Sequence, residues 1–555
     1  MIKTRIVSSL EKAFLDQKIE DFKSLEYISA LRGERLSLQL LYIYEGANSP
    51  AIWDPRRLPI VPEGELAPFI NIRRVFSVPV TKATHTLGTD DNYLRTAPGL
   101  YPDLLEPLYY GGKISFAADI LNSAWIEINI PEDFAAGEYT LSFSFVDGEF
   151  GSCESSVRIE VVDAVLPKDD IYFTQWFHAD CLANYYNIDV WSERHWEIIE
   201  NFARVARRNG INVLLTPVFT PPLDTAVGGE RRTTQLVGVT RNDGKYDFDF
   251  SKLDRWIDMC DRCGIEYIEI SHFFTQWGAA HAPKIMAMVD GEYKKIFGWD
   301  TDASGEEYSS FLRLFITKLL AHLKARGDDG RCFFHVSDEP GLAHLESYKR
   351  AKEIVADLLD GYTIMDALSK FDFYETGVLD HPIPANNHIK PFLDAGVKDL
   401  WTYYCVSQPL EVSNRYISMP LWRTRSIGMQ IYKYNVKGFL HWGYNFYNNQ
   451  YSVNPINPYY EPCADFVFPA GDAFSVYPEF DGTALESIRL ISFYEGLQDI
   501  KAMKLAESLT SHDEVVKAIE DVLGKELTFD TCAKSSEVML DIRQAVNEII
   551  KNNII

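Results

Sequence analysis

Residues 332–340 read CFFHVSDEP, an apolar run of strand length that ends in two acidic residues and a proline. Apolar residues at helical spacing precede this run, as Phe311 and Phe315 do, and follow it, as Leu345 and Tyr348 do. A continuously apolar strand between two amphipathic helices is typical of a parallel sheet that helices cover on both faces. The stretch therefore predicts an α/β fold.

The same order of strand, loop and helix recurs along the chain after residue 170. The other apolar runs are YFTQWFH (172–178), INVLL (211–215), IEYIEI (265–270), DFYE (372–375), DLWTYYC (399–405) and GFLHWGYN (438–445). About eight such repeats in one segment favour a (β/α)8 TIM barrel over an open sheet. The glycine-rich fingerprints of dinucleotide and phosphate binding are absent from the sequence.

The first part of the chain alternates apolar and polar residues with a period of two, which is typical of half-buried antiparallel strands. The alternating residues are Ile126, Ile128 and Ile130, then Leu141, Phe143 and Phe145, then Val157, Ile159 and Val161. Turn signals lie between them at 131–133 and 146–148. We predict an N-terminal antiparallel β-sandwich domain over residues 1–165, and a linker over 163–170.

The tail of the chain has apolar stripes at helical spacing. One stripe contains Ile491, Tyr494, Leu497 and Ile500, and another contains Met539, Ile542, Val546 and Ile549. We therefore predict a catalytic barrel over 170–483 and a C-terminal helical extension over 484–555 that packs on the barrel.

The composition excludes several classes of partner. The net charge of −26 repels phosphate backbones, so we expect no nucleic acid partner. No apolar run is long enough to cross a bilayer, and charged residues interrupt the N-terminus, so we predict no membrane insertion and a cytoplasmic location. The cysteines are scattered, and the Cys260 and Cys263 pair has no second pair, so we interpret it as a thiol pair at a helix end.

Asp338 and Glu339 follow the apolar run of the opening stretch. In a (β/α)8 barrel the active site lies at the carboxyl ends of the strands, and two carboxyl groups there are costly unless they have a task. The alternative is that Asp338 caps the next helix and Glu339 is solvated in its first turn. The pattern alone leaves both interpretations open.

Aromatic residues are concentrated at the other strand ends, with His178, His272 and His441 beside some of them. They are Trp176, Trp277, Tyr374, Trp401, Tyr403, Tyr404, Trp442, Tyr444 and Tyr447. Carbohydrate pockets need apolar ring faces and a few polar groups. We predict that eight side chains bind substrate: Trp176, His272, Trp277, Tyr374, Trp401, Tyr404, Trp442 and Tyr444.

Paired carboxyl groups with an aromatic pocket indicate glycoside hydrolysis. An enzymic nucleophile and its acid partner commonly come from different strands, because they must flank the anomeric carbon. Consecutive carboxyl groups instead suit substrate assistance, in which the 2-acetamido oxygen of the sugar attacks C1. One carboxyl group then protonates the leaving group and the other orients the acetamido group.

The chain resembles glycoside hydrolase family 123, whose members include β-N-acetylgalactosaminidases. The resemblance rests on four segments: GLYPDLLEPL (99–108), HVSDEP (335–340), GFLHWGYNFYN (438–448) and GDAFSVYPEFDGTALESIRL (471–490). It implies an N-terminal sandwich, a catalytic barrel, and release of terminal β-linked N-acetylhexosamine through an oxazoline. Residues 216–250 and 366–398 do not match the family pattern, so they leave the sugar and the leaving group open.

The resemblance also implies roles for the two acidic residues. Asp338 would hold the acetamido N–H, and Glu339 would be the general acid and then the base. Glu339 must then stay protonated near neutral pH, whereas Asp338 needs hydrogen-bond donors. Tyr374, Tyr404 or Tyr444 are candidate donors, and Trp442 or Trp401 a candidate wall for the acetamido methyl group.

Three hypotheses remain for the function. The first is an N-acetylhexosaminidase that acts on a small saccharide or a glycoconjugate glycan. The second is a barrel glycosidase of different sugar specificity, or one with a partner acid elsewhere, such as Glu375 or Asp380. The third is a non-catalytic carbohydrate-binding or scaffold protein. We expect no metal and no cofactor, because no HExxH motif is present. Arg423 and Arg425 are as compatible with structural ion pairs as with substrate contacts.

Overall fold

The structure is a computed structural model that describes residues 2–45, 57–109, 111–115, 117–147, 151–168 and 171–554. The strands of the N-terminal part are β1 (Ile2–Ser8), β2 (Tyr27–Arg32), β3 (Arg35–Tyr44), β4 (Arg57–Pro59), β5 (Val61–Glu63), β6 (Ile70–Val80), β7 (Gly99–Pro107), β8 (Lys113–Ser115), β9 (Asn122–Asn129), β10 (Gly137–Asp147) and β11 (Gly151–Val165).

Two sheets form the N-terminal sandwich, in the orders β1-β3-β9-β6-β7 and β2-β11-β10-β5, and β4 and β8 form a separate ribbon. The inner faces share one core, in which Leu38 and Ile126 of the first sheet are buried with Phe143 and Ile159 of the second. The predicted alternation is confirmed, because all nine of its apolar residues are buried. Every pair in the first sheet is antiparallel, but β2 runs parallel to β11, which corrects the fully antiparallel prediction.

The predicted linker overlaps a strand, since β11 extends to Val165. Residues 169 and 170 of that linker, and residue 148 of the turn predicted at 146–148, lie outside the described residues.

The remaining strands are β12 (Tyr172–Gln175), β13 (Val213–Thr216), β14 (Gly238–Asn242), β15 (Lys245–Asp249), β16 (Tyr267–Ile270), β17 (Ile285–Val289), β18 (Glu292–Phe297), β19 (Cys332–Phe334), β20 (Thr363–Ala367), β21 (His381–Ile383), β22 (Trp401–Tyr403), β23 (Gly438–His441), β24 (Val476–Pro478) and β25 (Ala484–Glu486). The α-helices are α1 (Ala179–Tyr185), α2 (Glu193–Arg208), α3 (Ser251–Cys263), α4 (Glu306–Arg326), α5 (Leu345–Val355), α6 (Asp372–Glu375), α7 (Lys390–Asp394), α8 (Leu421–Arg425), α9 (Ile427–Lys433), α10 (Ile488–Leu509), α11 (His512–Leu523) and α12 (Ser536–Asn553).

Eight of these strands form one parallel sheet in the order β21-β20-β19-β16-β13-β12-β23-β22. The two edge strands meet, because the Tyr403 backbone N–H donates to the Pro384 carbonyl at 3.2 Å and Ala385 forms a bridge with Tyr403. The sheet is therefore nearly closed into a barrel. The loops after β13 and β16 carry a second, smaller sheet in the order β15-β14-β17-β18.

Two strands of the barrel differ from the prediction. Residues 372–375 form the short helix α6, and the fifth and sixth strands are β20 and β21 on either side of it. The sequence does not predict β20 because Asp366 interrupts its apolar residues. It does not predict β21 because that strand is only three residues long and contains Pro382. In a barrel the apolar runs also continue beyond the strands, since β12 ends at Gln175 whereas the run extends to His178.

The predicted helices are present between the strands. Helix α2 buries Trp196, Ile199 and Phe202, and α4 buries Phe311 and Phe315. Helix α3 ends at Cys263, where Gly264 adopts a left-handed φ of 76°, and both cysteines of the CxxC pair are buried free thiols. These helices cover the outside of the barrel, as the apolar spacing predicts.

Helices α10, α11 and α12 form the C-terminal part, and residue 484, the predicted start of that part, falls on β25. Ser487 caps α10 by accepting a hydrogen bond from the Leu490 backbone N–H at 3.2 Å. Helix α10 also contacts the sandwich, because the Gln498 amide oxygen accepts from the Arg35 backbone N–H at 2.9 Å. No helix of the described part of the chain combines the length and the apolar character needed to cross a bilayer.

Candidate active site

A pocket of about 160 Å³ opens at the carboxyl ends of the barrel strands. Its walls are formed by Trp176, Leu223, Asp224, Gln276, Trp277, Asp338, Glu339, Ala367, Tyr403, Cys405, Val406, Leu440, Trp442, Gln450 and Phe468. Most of the lining is apolar or aromatic, and three carboxyl groups are placed within it. This combination is typical of small-molecule sites in barrels.

The chain leaves β19 in a fixed turn that carries both acidic residues. The Asp366 carboxylate accepts hydrogen bonds from the backbone N–H groups of Val336, at 3.1 Å, and Ser337, at 3.3 Å. The Glu339 N–H donates to the Ala367 carbonyl at 2.9 Å. Glu339 has a left-handed φ of 43°, which is costly for a residue with a side chain and persists only where neighbouring bonds enforce it.

Asp338 and Glu339 both line the pocket, as predicted for the acid pair. Burial, and then the charge of Glu339, raise the pKa of Asp338 well above its ordinary value. Burial also raises the pKa of Glu339, although its side chain is accessible from the pocket, and a hydrogen bond from the Tyr403 hydroxyl to Oε1 at 2.6 Å opposes that rise. The pair therefore retains a proton at a higher pH than isolated carboxyl groups would.

Three of the eight predicted binding residues form aromatic walls of the pocket. The Trp176 Nε1–H donates to Glu269 at 2.7 Å, and the Trp442 Nε1–H donates to Asp472 at 3.1 Å. Trp277 is 38% exposed, and its backbone N–H donates to the Asp338 carbonyl at 2.8 Å. The indoles of Trp176 and Trp442 are thus anchored at their polar edges, and the three rings offer flat apolar surfaces to sugar C–H groups.

Two predicted binding residues lie in the core. Trp401 is at the wrong end of its strand, and Tyr404 faces the wrong side of the barrel wall. Trp401 begins β22 and stacks on Tyr172, with ring centroids 5.3 Å apart, so it fills the floor of the barrel at the end opposite the pocket. Tyr404 packs on Phe439 and His441, and its hydroxyl has no hydrogen-bond partner among the described residues. The prediction of substrate contact does not fit either position.

Three more predicted binding residues do not line the pocket. Tyr374 is on α6 and packs on Phe371, and the Tyr444 hydroxyl donates to the Phe202 carbonyl at 3.0 Å. His272 is buried and stacks on His335, with ring centroids 4.3 Å apart. The local pattern places these side chains near strand ends but does not determine which face of the chain they occupy.

The other charged candidates also lie elsewhere. Glu375 and Asp380 are exposed and do not line the pocket, and Asp380 is 3.6 Å from Lys352. Arg423 pairs with Asp90 at 2.9 Å, and Arg425 pairs with Asp499 at 2.7 Å. Both arginines therefore have structural ion-pair partners.

Several lining residues come from loops that no local motif marks. Asp224 follows β13, and burial raises its pKa to about 6 against a hydrogen bond from the Tyr451 N–H at 3.0 Å. The Asp224 N–H donates to the Gln276 side-chain oxygen at 2.5 Å, which links two lining loops. Tyr403 is one of the strand-end aromatic residues, but the sequence does not place it among the eight predicted substrate-binding residues. Its position two residues after Trp401, on the same face of β22, was the available signal.

Beneath the pocket, His335 lies between two buried carboxylates. Its Nε2 is 2.8 Å from Glu269 and its Nδ1 is 3.1 Å from Asp366. Burial alone lowers the pKa of a histidine, but these two hydrogen bonds raise the pKa of His335 to about 10. Burial and the charge of His335 lower the pKa of His272, so the two stacked rings differ in charge.

His272, His335 and Asp366 are also close enough together to be considered as metal ligands. However, both nitrogens of His335 are already hydrogen bonded to carboxylates. The rings of His272 and His335 are within 21° of parallel, so their in-plane lone pairs do not converge on one point. This geometry does not form a tetrahedral or octahedral ligand set.

The comparisons with known proteins bear on this site. A model of the glycoside hydrolase 123 catalytic domain matches residues 176–506, more than half of the chain. The chain belongs to glycoside hydrolase family 123. The matched range contains every residue that lines the pocket. As a family 123 member the protein is a glycoside hydrolase, and the resemblance seen in the sequence is confirmed.

The chain is also similar to solved structures, to very different degrees. One is a family 123 glycoside hydrolase from Clostridium perfringens, studied for glycolipid glycan hydrolysis, with 17% identity and a TM-score of 0.73 over 100% of this chain and 98% of that one. Another is a family 5 xyloglucanase from Bacteroides ovatus, with 9% identity and a TM-score of 0.29 over 88% of this chain and 99% of that one. No curated protein matches the chain.

Proposed function

We propose that this family 123 enzyme is a retaining β-N-acetylhexosaminidase that releases terminal β-linked N-acetylgalactosamine by substrate assistance. The observation that carries the proposal is the placement of two consecutive carboxyl groups, Asp338 and Glu339, in one aromatic pocket at the end of β19. Two carboxyl groups on one strand exit lie on the same side of the pocket. That arrangement suits a substrate that provides its own nucleophile.

In the first step the acetamido oxygen of the sugar attacks C1, and the bond from C1 to the leaving oxygen breaks. Glu339 donates its proton to that oxygen, and Asp338 accepts a hydrogen bond from the acetamido N–H and stabilises the oxazolinium. In the second step Glu339 removes a proton from water as the water attacks C1, and the bond from C1 to the acetamido oxygen breaks. The water oxygen attacks the face of the ring from which the leaving oxygen departed, opposite the face that the acetamido oxygen attacked. The two inversions at C1 therefore retain the anomeric configuration.

The proton must be on Glu339 when substrate is bound. Before substrate binds, the Tyr403 hydroxyl stabilises ionised Glu339, and burial together with neighbouring negative charge favours protonated Asp338. An acetamido N–H that donates to Asp338 lowers the pKa of Asp338, and the resulting negative charge raises the pKa of Glu339. Substrate binding thus transfers the shared proton to the residue that needs it.

The other lining residues fit a neutral sugar. Trp176, Trp277 and Trp442 supply stacking surfaces, and Asp224 and Gln276 supply groups for hydroxyls. A glycoconjugate glycan is the proposed partner, because the Clostridium perfringens enzyme of the same family was studied for glycolipid glycan hydrolysis.

The first test replaces each acid by its amide. We expect Asp338→Asn and Glu339→Gln each to lower kcat on an aryl β-N-acetylgalactosaminide by about 10²–10⁴-fold, because each removes a proton-transfer or charge-stabilising group. Glu375→Gln is the matched control, since that carboxyl group is exposed and outside the pocket. Thermal denaturation checks that all three variants fold. Full activity of either pocket variant contradicts the assignment.

A second candidate is a two-carboxylate glycosidase in which Asp224 is the partner acid, because Asp224 is the third carboxyl group of the pocket. The aryl β-galactoside, which has a hydroxyl in place of the acetamido group, separates the two mechanisms. Substrate assistance predicts no cleavage of it and tight binding of an N-acetylgalactosamine thiazoline, which mimics the oxazoline. Equal cleavage of both glycosides supports the second candidate, and binding of both without turnover supports a carbohydrate-binding protein.

A further inference from the structure

The structure contains a buried charged array directly under the acid pair, which the proposed mechanism does not use. Its centre is His335, whose side chain is fully buried and whose two ring nitrogens both face carboxylate oxygens, of Glu269 and Asp366. A neutral imidazole has one N–H and one lone pair, so it can donate to only one of two ionised partners. The protonation state of the carboxylates therefore decides the charge of His335.

The surroundings of Glu269 require the ionised form. Its Oε1 accepts from the Trp176 Nε1–H at 2.7 Å and lies 2.8 Å from His335 Nε2, and its Oε2 accepts from the Thr174 hydroxyl at 2.6 Å. The indole N–H only donates, and imidazole is a stronger base than a carboxylate, so a proton shared between Glu269 and His335 resides on His335. Glu269 also connects the array to Trp176, a wall of the pocket.

The surroundings of Asp366 lead to the same conclusion. Its oxygens accept from the Val336 and Ser337 backbone N–H groups, and from the Tyr348 hydroxyl at 2.6 Å. Burial raises the pKa of Asp366, but these donors and His335 oppose that rise, and the imidazole is again the stronger base. With both carboxylates ionised, His335 carries protons on both nitrogens and is an imidazolium. Asp366 also connects the array to the strand exit, because Val336 and Ser337 immediately precede Asp338.

We propose that His335 is a positioning residue for the acid pair: as a buried imidazolium held by Glu269 and Asp366, it fixes the exit of β19 and places a positive charge beneath Asp338. This inference rests on the proposed function for its catalytic consequence. The charge itself is a property of the fold. Removing His335 leaves two buried carboxylates without the positive charge between them, so the array depends on the imidazolium.

The positive charge near Asp338 favours the ionised form of that carboxyl group. The charged or titratable groups that face Asp338 are Glu339, Asp366, Asp224 and His335, and of these only His335 stabilises the ionised form. Around His335 itself the titratable groups are Glu269, Asp366, Asp338 and the neutral His272. Substrate assistance requires ionised Asp338, so removal of the imidazolium moves the acidic limb of the pH profile to higher pH.

The first experiment measures the charge without using activity. Protein labelled with ¹⁵N in its histidine side chains is examined by NMR at pH 7, and the His335 signals are assigned by their loss in His335→Gln. Two protonated ring nitrogens that persist from pH 6 to pH 9 are the expected result. A neutral His335 at pH 7 overturns the proposal. This measurement stands even if the protein does not cleave hexosaminides or if the variant does not fold, because assignment by proximity to labelled Trp176 remains available.

The second experiment compares His335→Gln with His272→Phe on the aryl β-N-acetylgalactosaminide. We expect the acidic limb of kcat/KM to shift upward by about one pH unit in His335→Gln, the lower end of the effect of one nearby charge. His272→Phe keeps the stacked ring and removes no charge and, within the described part of the chain, no hydrogen bond, so its limb stays unchanged. An unchanged limb in His335→Gln, or an equal shift in both variants, overturns the proposal.

Discussion

Tyr403 and Tyr404 are neighbours in the sequence but face opposite sides of the barrel wall. The Tyr403 hydroxyl lies in the pocket, 2.6 Å from Glu339, whereas Tyr404 is buried against Phe439. Successive strand residues alternate between faces, so an error of one position exchanges a pocket residue for a core residue. Trp401 shares the inward face with Tyr403 but lies at the other end of the strand. The site at this scale depends on both face and depth.

Tyr403→Phe tests the hydrogen bond to Glu339. A bond donated to the ionised form lowers the pKa of Glu339, so its removal raises that pKa, and protonated Glu339 persists to higher pH. We therefore expect the basic limb of kcat/KM to move upward by about one pH unit, the effect of one hydrogen bond to a charged group. The pH profile on an aryl β-N-acetylgalactosaminide measures it. Tyr404→Phe is the control and leaves the limb in place, and a downward shift in Tyr403→Phe contradicts the assignment.

At the scale of the element, the sequence predicts strands and helices whose apolar spacing is regular and misses those whose spacing is irregular. The alternation in β9, β10 and β11, and the helical stripes of α2 and α4, follow from apolar spacing that repeats over several residues. The acid pair follows from its place after a strand. Strand β21 is too short to show a period, and Asp224, Gln276 and Gln450 lie in loops that the barrel brings together from distant parts of the chain. No local pattern encodes that assembly.

The floor of the barrel contributes to stability and the mouth to substrate binding, and one tryptophan at each end tests this division. Trp401 packs against Gly438, where a Cβ would lie 2.1 Å from the indole, so strand β23 requires glycine there. We expect Trp401→Phe to lower the free energy of unfolding by about 1–3 kcal/mol through lost packing, and to leave KM unchanged. Urea denaturation and steady-state kinetics measure the two quantities.

Trp442 is the counterpart at the mouth. We expect Trp442→Leu to raise KM for the N-acetylgalactosaminide by about 3- to 10-fold, because it removes a flat stacking surface from the pocket. A raised KM in Trp401→Phe, or an unchanged KM in Trp442→Leu, contradicts this division between floor and mouth.

At the scale of the whole molecule, α10 joins the sandwich to the barrel. Arg489 of α10 and Asp103 of β7 form a fully buried ion pair with two bonds of 2.7 and 2.9 Å, and Tyr477 donates to the same carboxylate at 2.6 Å. A charge removed from water is tolerated only when its partner is in place. The two parts of the molecule are therefore connected by a contact that is costly to leave half made.

The Asp103 and Arg489 pair makes a prediction about the stability of the whole chain. Arg489→Met leaves a buried carboxylate without its partner, so we expect the free energy of unfolding to fall by about 3–5 kcal/mol. The double variant Asp103→Leu with Arg489→Met leaves neither charge and recovers most of that loss. Urea denaturation followed by tryptophan fluorescence measures both, and equal losses in the single and double variants contradict the prediction.

Three residues that line the pocket, Asp224, Trp277 and Glu339, have left-handed φ values of 39°, 58° and 43°. Glycine adopts this conformation without steric strain, so replacing such a residue by glycine is one route to relieving local strain. In this enzyme that route removes a carboxyl group, a stacking surface and the proposed general acid. A variant relieved of strain at any of these three positions would therefore lose part of the proposed chemistry of the pocket.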